Sequence, residues 1–173
     1  HGVPMTIKDA LCTEGLVTVG GIPECKDHVP KTNAQGVQKY VDAGAIVFGK
    51  TNVPFMSADL QSYNEVYGTT NNPWNVERTC GGSSGGAASA VAAGLTPLEL
   101  GSDIGGSIRT PSHFNGVYGH KPSYGIVSQR GHLPPGERTY TETDLSVVGP
   151  IGTSADDLEQ ALDILVGPSP EDA

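Results

Sequence analysis

Lys31-Thr32-Asn33-Ala34-Gln35-Gly36-Val37-Gln38-Lys39-Tyr40-Val41-Asp42-Ala43-Gly44-Ala45-Ile46-Val47-Phe48 is the stretch on which the fold turns. Thr32 has the side chain of a helix N-cap, Ala34, Val37 and Val41 fall on one helical face, and Gly44 supplies the stop. Ala45 to Phe48 then runs without a polar residue, which predicts a strand buried on both faces. A helix leading straight into such a strand is the rhythm of an α/β sheet covered by helices.

The same rhythm extends outward from this stretch. Toward the N-terminus, Met5 to Lys8 predicts a short strand, followed by a Gly-, Pro- and Cys-containing loop through Val29-Pro30. Toward the C-terminus, Thr51 to Asn75 is polar and irregular, with Asn71-Asn72-Pro73 as a turn. Gly81-Gly82-Ser83-Ser84-Gly85-Gly86 leads into Ala87 to Ala93, small and helix-favouring, which ends at Gly94. Leu98 to Leu100 predicts a brief strand, Gly101 to Gly106 a second glycine loop, and Ile108 to Phe114 a short helix. Ser154 caps a last amphipathic helix with Leu158, Ala161, Leu162 and Leu165 on its apolar face, stopped by Gly167-Pro168. No internal repeat and no domain linker interrupts the 173 residues.

Composition narrows the functions open to the chain. The 24 Gly and 13 Pro make more than a fifth of it, against a usual sum of roughly 12 %, so the chain is rich in tight turns. A net charge of −9 argues against a nucleic-acid footprint, for which basic residues cluster on one face. No apolar run is long enough for a membrane span, and no charged-then-apolar leader opens the sequence, so a soluble protein is expected. Cys12, Cys25 and Cys80 are odd in number and lack the spacing of a zinc or redox site; they read as reduced thiols in a cytoplasmic protein. The chain opens at His1-Gly2-Val3-Pro4 without an initiating Met and reads as a segment cut from a longer domain.

Glycine loops ahead of helices most often bind phosphate, but that reading fails on detail. A P-loop needs a lysine and a hydroxyl after its glycines, whereas Gly85-Gly86 leads into Ala87-Ala88, and neither loop contains GxGxxG. Serines stand in the turns instead. Small neighbours let a carbonyl compound approach a serine hydroxyl, and free backbone N–H groups can hold an oxyanion, so the pattern favours acyl transfer. The serine needs a base. No histidine sits in a triad motif and no GxSxG elbow is present. The alternative is a lysine kept neutral by burial, and Lys8, at the end of the Val3-Pro4-Met5-Thr6-Ile7 run, is the lysine best placed for it.

Gly2-Val3-Pro4-Met5-Thr6-Ile7-Lys8-Asp9, the Gly81 to Gly86 loop and Gly101-Ser102-Asp103-Ile104-Gly105-Gly106-Ser107-Ile108-Arg109 together resemble, in order, the core motifs of the amidase-signature family. The resemblance continues through Pro111, Gly116-Val117-Tyr118-Gly119-His120-Lys121-Pro122 and the last helix. It implies a mixed sheet with helices on both faces, of which residues 1–173 are the central part, the N-terminal helices and the C-terminal half of a single catalytic domain lying outside them. It implies Ser107 as nucleophile, Ser83, 24 residues earlier, as the bridging serine after a cis Gly82–Ser83 bond, and Lys8 as base. The oxyanion hole would be the backbone N–H groups of Ile104, Gly105, Gly106 and Ser107. Ser84, Asp103 and Arg109 are supporting residues, the last two as an ion pair, and His120 and Lys121 support the sheet behind the site. Glu99 stands where the family commonly has a small residue. No metal and no organic cofactor is implied, and the substrate is a small linear amide.

Each site residue has a blander reading. Ser107 could cap the helix that follows, Ser84 could be the bridge in place of Ser83, and Lys8 could be an ordinary solvated lysine. Two further functions stay open: a non-catalytic fragment serving as an assembly module, and the amidotransferase subunit that serves a charged-tRNA reaction. Gly119-His120-Lys121-Pro122 and Arg130-Gly131-His132-Leu133-Pro134-Pro135 look more like free-standing amidases than that subunit. On its own the segment would show weak or no activity, and its uncovered sheet edge would favour self-association, as in a homodimer.

Overall fold

The computed structural model of the chain describes residues 1–132 and 143–168. Its centre is a mixed five-stranded sheet. The strands are β1 (Pro4–Lys8), β2 (Ile46–Thr51), β7 (Leu98–Asp103), β8 (Tyr118–Gly119) and β9 (Val147–Gly152), in the order β2-β1-β7-β9-β8. β1 runs parallel to β2 and to β7, whereas β9 is antiparallel to both β7 and β8. Two short hairpins, β3 (Tyr63–Asn64) with β4 (Gly68–Thr69) and β5 (Asn71–Asn72) with β6 (Asn75–Thr79), occupy the stretch that the sequence left irregular.

Four helices cover the sheet: α1 (Gln35–Asp42), α2 (Gly85–Ala92), α3 (Arg109–Asn115) and α4 (Ala155–Leu165). Strand alternation sorts the side chains between two cores. Met5, Ile7, Leu100 and Val148 bury against Val37 and Tyr40 of α1 and Ala161 and Leu165 of α4. Ile151 packs instead with Ala87 and Val91 of α2 and with Ile108. The expected mixed sheet with helices on both faces is therefore the fold.

Local expectations fared unevenly. Ser154 does cap α4, accepting the Asp157 N–H at 3.4 Å. Thr32 does not cap α1. The helix begins after Ala34, because the Ala34 and Gln35 N–H groups donate to the Cys12 and Arg130 carbonyls at 2.7 and 3.0 Å and need no side-chain acceptor. Its inner face is Gly36, Val37 and Tyr40, and Val41 points outward. β2 is a sheet edge and is not buried on both faces: Val47 packs toward the α1 and α4 core, while Ile46 and Phe48 are 56 % and 53 % exposed. β7 runs on to Asp103, taking in half of the second glycine loop. A Cβ on Gly101 would lie 3.1 Å from both Ile151 Cδ1 and Ser84 Oγ, so any larger residue would have to push these side chains aside by a few tenths of an ångström. β9 has no counterpart among the sequence-based expectations.

Candidate active site

The ends of β1 and β7 and the two glycine loops converge on one buried point. Lys8, last residue of β1, is wholly buried and donates from Nζ to Ser83 Oγ at 2.6 Å and to Ser102 Oγ at 2.9 Å. The Gly82–Ser83 peptide bond is cis. Glycines allow the loop to sit this deep: a Cβ on Gly82 would lie 2.7 Å from the Gln61 nitrogen, and one on Gly86 within 2.6 Å of the Asn52 carbonyl oxygen. Ser62 braces the same loop, its Oγ donating toward the Gly81 or Ser83 carbonyl at 3.2 and 3.3 Å and accepting the Gly85 N–H at 3.0 Å.

Ser84 joins the two loops. Its N–H donates to the Ser107 carbonyl at 3.1 Å and its hydroxyl to the Ser102 carbonyl at 3.1 Å. Lys8 thus reaches Ser83, and Ser84 serves as a tie between the loops. Ser107 is 4 % exposed and does not cap the following helix, whose N-cap residue is Ile108 without a side-chain cap bond.

Asp103 shapes the second loop from beneath. Its buried carboxylate accepts the N–H groups of Gly106 at 2.8 Å, Ile108 at 2.9 Å and Arg109 at 3.2 Å, and pairs with the Arg109 guanidinium at 2.9 Å. Burial alone would raise its pKa, but the Arg109 hydrogen bond and these backbone donors outweigh burial and hold it at about 2. The Gly106 N–H is already engaged by Asp103, whereas among the described residues no acceptor takes the N–H groups of Ile104, Gly105 and Ser107.

The electrostatics of Lys8 follow from its burial. Desolvation lowers its pKa to about 7, against the opposing charges of Asp103 and Glu99. A lysine poised there is largely unprotonated at slightly alkaline pH and can accept a proton. Glu99 is also wholly buried, receives hydrogen bonds from Thr6 and, at 3.1 Å, from Thr51, and is raised by desolvation to about 8. Beyond it lies a second, half-buried lysine that sequence reasoning passed over. Lys50 Nζ donates to Leu11 O, to Thr13 Oγ1 at 2.8 Å and to Thr18 Oγ1 at 3.0 Å, and desolvation brings its pKa down to about 8.

Asp9, beside Lys8 in sequence, turns away from it to accept the Val19 and Gly20 N–H groups. His120 joins the sheet through its backbone, donating to Pro150 O at 3.0 Å, whereas the Lys121 ammonium donates to its neighbour's carbonyl, that of Pro122. Sequence reasoning also missed Ser102 and His132 as parts of the site; His132 Nε2 lies 2.7 Å from Ser102 Oγ. A serine beside a motif aspartate and a histidine in a Gly-His step carry no signal until the fold brings them to Lys8. Leu133-Pro134-Pro135 lies outside the described residues. Among the described residues no cluster of His, Cys, Asp or Glu is arranged to hold a metal ion, and no helix is long and apolar enough to cross a membrane.

Comparison with known proteins identifies the family. The family model described as Amidase matches residues 1–173. Fatty-acid amide hydrolase 2-A of Danio rerio is 43 % identical over 170 residues, covering 98 % of this chain and 32 % of that protein. A glutamyl-tRNA(Gln) amidotransferase subunit of Natranaerobius thermophilus is 42 % identical over 166 residues, covering 96 % of this chain and 33 % of that protein. Among solved structures, the same amidotransferase subunit from Thermotoga maritima superposes with a TM-score of 0.91 at 36 % identity, over 99 % of this chain and 36 % of that one. The chain spans about a third of the length of these relatives.

Proposed function

The chain belongs to the Amidase family, and on that footing we propose that it carries the catalytic centre of an amide hydrolase working through a Ser107 acyl-enzyme. Neutral Lys8 takes the Ser83 hydroxyl proton, Ser83 takes the proton of Ser107, and Ser107 Oγ attacks the amide carbonyl carbon. The oxyanion is held by the N–H groups of Ile104, Gly105 and Ser107, each such donor being worth about 3 to 4 kcal/mol in the barrier. Ser83 passes a proton to the departing amine as the C–N bond breaks. Water then attacks the acyl-enzyme by the same relay run backward and releases the acid. Linear amides are the substrate class, and the site lies in a soluble, cytoplasmic protein.

The observation that carries the reading is the 2.6 Å contact between a buried Lys8 amine and Ser83 Oγ, on a loop bonded through Ser84 to Ser107. The test uses the full-length protein against a panel of small amides, with release of ammonia or amine as readout. Ser107→Ala abolishes turnover, by a factor on the order of 10⁴ or more; a Ser107→Ala protein that turns over at the wild-type rate refutes the assignment.

A second reading has its own support. The amidotransferase subunit is almost as similar to this chain as the fatty-acid amide hydrolase, 42 % against 43 %. Stable co-purification with partner proteins, and amidase activity that emerges only in that complex, would favour it.

A further inference from the structure

Lys8 has more polar neighbours than a proton relay through Ser83 requires. Its Nζ lies 2.9 Å from Ser102 Oγ and 3.4 Å from Ser102 O, in addition to Ser83 at 2.6 Å. Ser102 is 3 % exposed, and its hydroxyl also meets His132 Nε2 at 2.7 Å. A neutral amine has two N–H donors and one lone pair, and it acts as base only if the lone pair points at the Ser83 proton. Both donors must then face Ser102. The Ser102 oxygen can accept from Lys8 while its own proton is aimed elsewhere, and among the described residues His132 Nε2 lies within reach of that proton as an acceptor in the Nδ1–H tautomer.

The backbone around His132 is pinned in place. Leu11 and His132 form an antiparallel bridge, the Gly131 carbonyl accepts the Cys12 N–H at 2.9 Å, and the His132 N–H donates to Gln129 O at 3.0 Å. A Cβ on Gly131 would lie 2.5 Å from Ala34 Cα, so the chain passes tight against the start of α1. The segment is thereby fastened to the residues that closely follow Lys8.

We propose that His132 is a positioning residue of the relay: its Nε2 accepts the Ser102 hydroxyl proton, fixing the direction Lys8 N–H to Ser102 O–H to imidazole and turning the Lys8 lone pair onto Ser83. The proposal rests on the reading of Lys8, Ser83 and Ser107 given above. His132 acts through Ser102 and Lys8 and not on the reacting atoms themselves.

The test measures the rate at which a fluorophosphonate probe labels the full-length protein, separating the limiting rate from the half-saturating concentration. Ser107 Oγ attacks the probe's phosphorus, an O–P bond forming as the P–F bond breaks and fluoride leaves to solvent while the hydroxyl proton passes through Ser83 to Lys8, so the rate reports the activation of that hydroxyl whatever the natural substrate is. His132→Ala lowers the limiting rate about tenfold, the worth of one hydrogen bond, with the half-saturating concentration unchanged. His132→Gln, whose carboxamide oxygen can accept from Ser102, recovers most of the loss. Ser102→Ala lowers the rate as well, and the His132→Ala/Ser102→Ala double variant loses no more than Ser102→Ala alone. Wild-type labelling in His132→Ala, or losses that multiply in the double variant, overturns the proposal. Where His132→Ala fails to fold, the same cycle is run with His132→Phe, and a Gln variant no better than Phe overturns it. Absence of labelling in the wild type, or labelling that survives Ser107→Ala, refutes the underlying reading and this proposal with it. Loss of labelling in Ser107→Ala with unaltered His132 variants refutes the positioning role alone.

Discussion

Met5 and Ile7 leave β1 on one side and Thr6 and Lys8 on the other, and the two sides are built to opposite rules. The first pair enters an apolar core with Leu100, Val148 and Leu165, where desolvation pushes the Tyr40 phenol upward and keeps it neutral. The second pair enters a region equally shielded from water yet rich in polar groups: Lys8, Glu99, Ser83, Ser84, Ser102 and Asp103 are each 3 % exposed or less. Burial on one face stabilises the fold. On the other it sets protonation states, lowering a lysine and raising a glutamate toward neutral pH.

The largest effect that separates the faces belongs to the relay. Lys8→Ala and Ser83→Ala in the full-length protein are expected to reduce amide turnover by about 10² to 10⁴-fold, and Lys8→Ala does so with little loss of thermal midpoint, since Lys8 is buried at a desolvation cost. Parallel activity and melting measurements check this, and a destabilised but active Lys8→Ala would erase the distinction. Asp103→Ala comes next, with turnover lower by about 10²-fold through loss of the geometry of the oxyanion loop; kcat falls more than KM rises if the carboxylate shapes the loop as described.

A change on the other face inverts the pattern. Leu100→Ala is expected to cost about 2 to 5 kcal/mol of stability, read by denaturant unfolding, while kcat per folded molecule stays near wild type. A Leu100→Ala protein of normal stability and impaired chemistry would show that the faces are not separable.

The smallest effects are in pH. The proposed relay requires unprotonated Lys8, so kcat/KM is expected to rise with pH and level off above about 7. Glu99, raised to about 8, is largely uncharged where Lys8 titrates, so Glu99→Gln is expected to move this limb little. The same substitution carries a stability signature. Glu99 is raised from 4.5 to about 8, so the folded state holds its proton longer than the unfolded state, and wild-type stability falls as pH rises through that window. The Gln variant lacks that fall. Urea midpoints across the window decide it, and identical slopes in the two proteins would contradict the placement of Glu99.

How much of this was legible beforehand follows the same division. Period-two alternation placed β1, and the apolar stripe of Leu158, Ala161 and Leu165 placed α4 with its Ser154 cap. Lys8, Ser83 and Asp103 could be singled out only through the ordered resemblance of three motifs to the amidase-signature family, since either glycine loop alone has blander explanations. Illegible were the contacts made across the sheet. Glu99 read as an inconsequential departure because its Thr6 and Thr51 donors come from two other strands. Ile46 and Phe48 read as interior because an apolar run does not reveal that its strand is an edge. The hydrogen bond from the Gly106 N–H to the Asp103 carboxylate was likewise invisible, because only the turn of the second loop brings the two together.

That Ser107 is the acylated residue is the claim on which the rest depends, and mass analysis of the intact full-length protein after exposure to a fluorophosphonate tests it most directly. One adduct is predicted, on the peptide containing Ser107 and absent in Ser107→Ala. An adduct on Ser83, Ser84 or another peptide, or one that persists in Ser107→Ala, would contradict it.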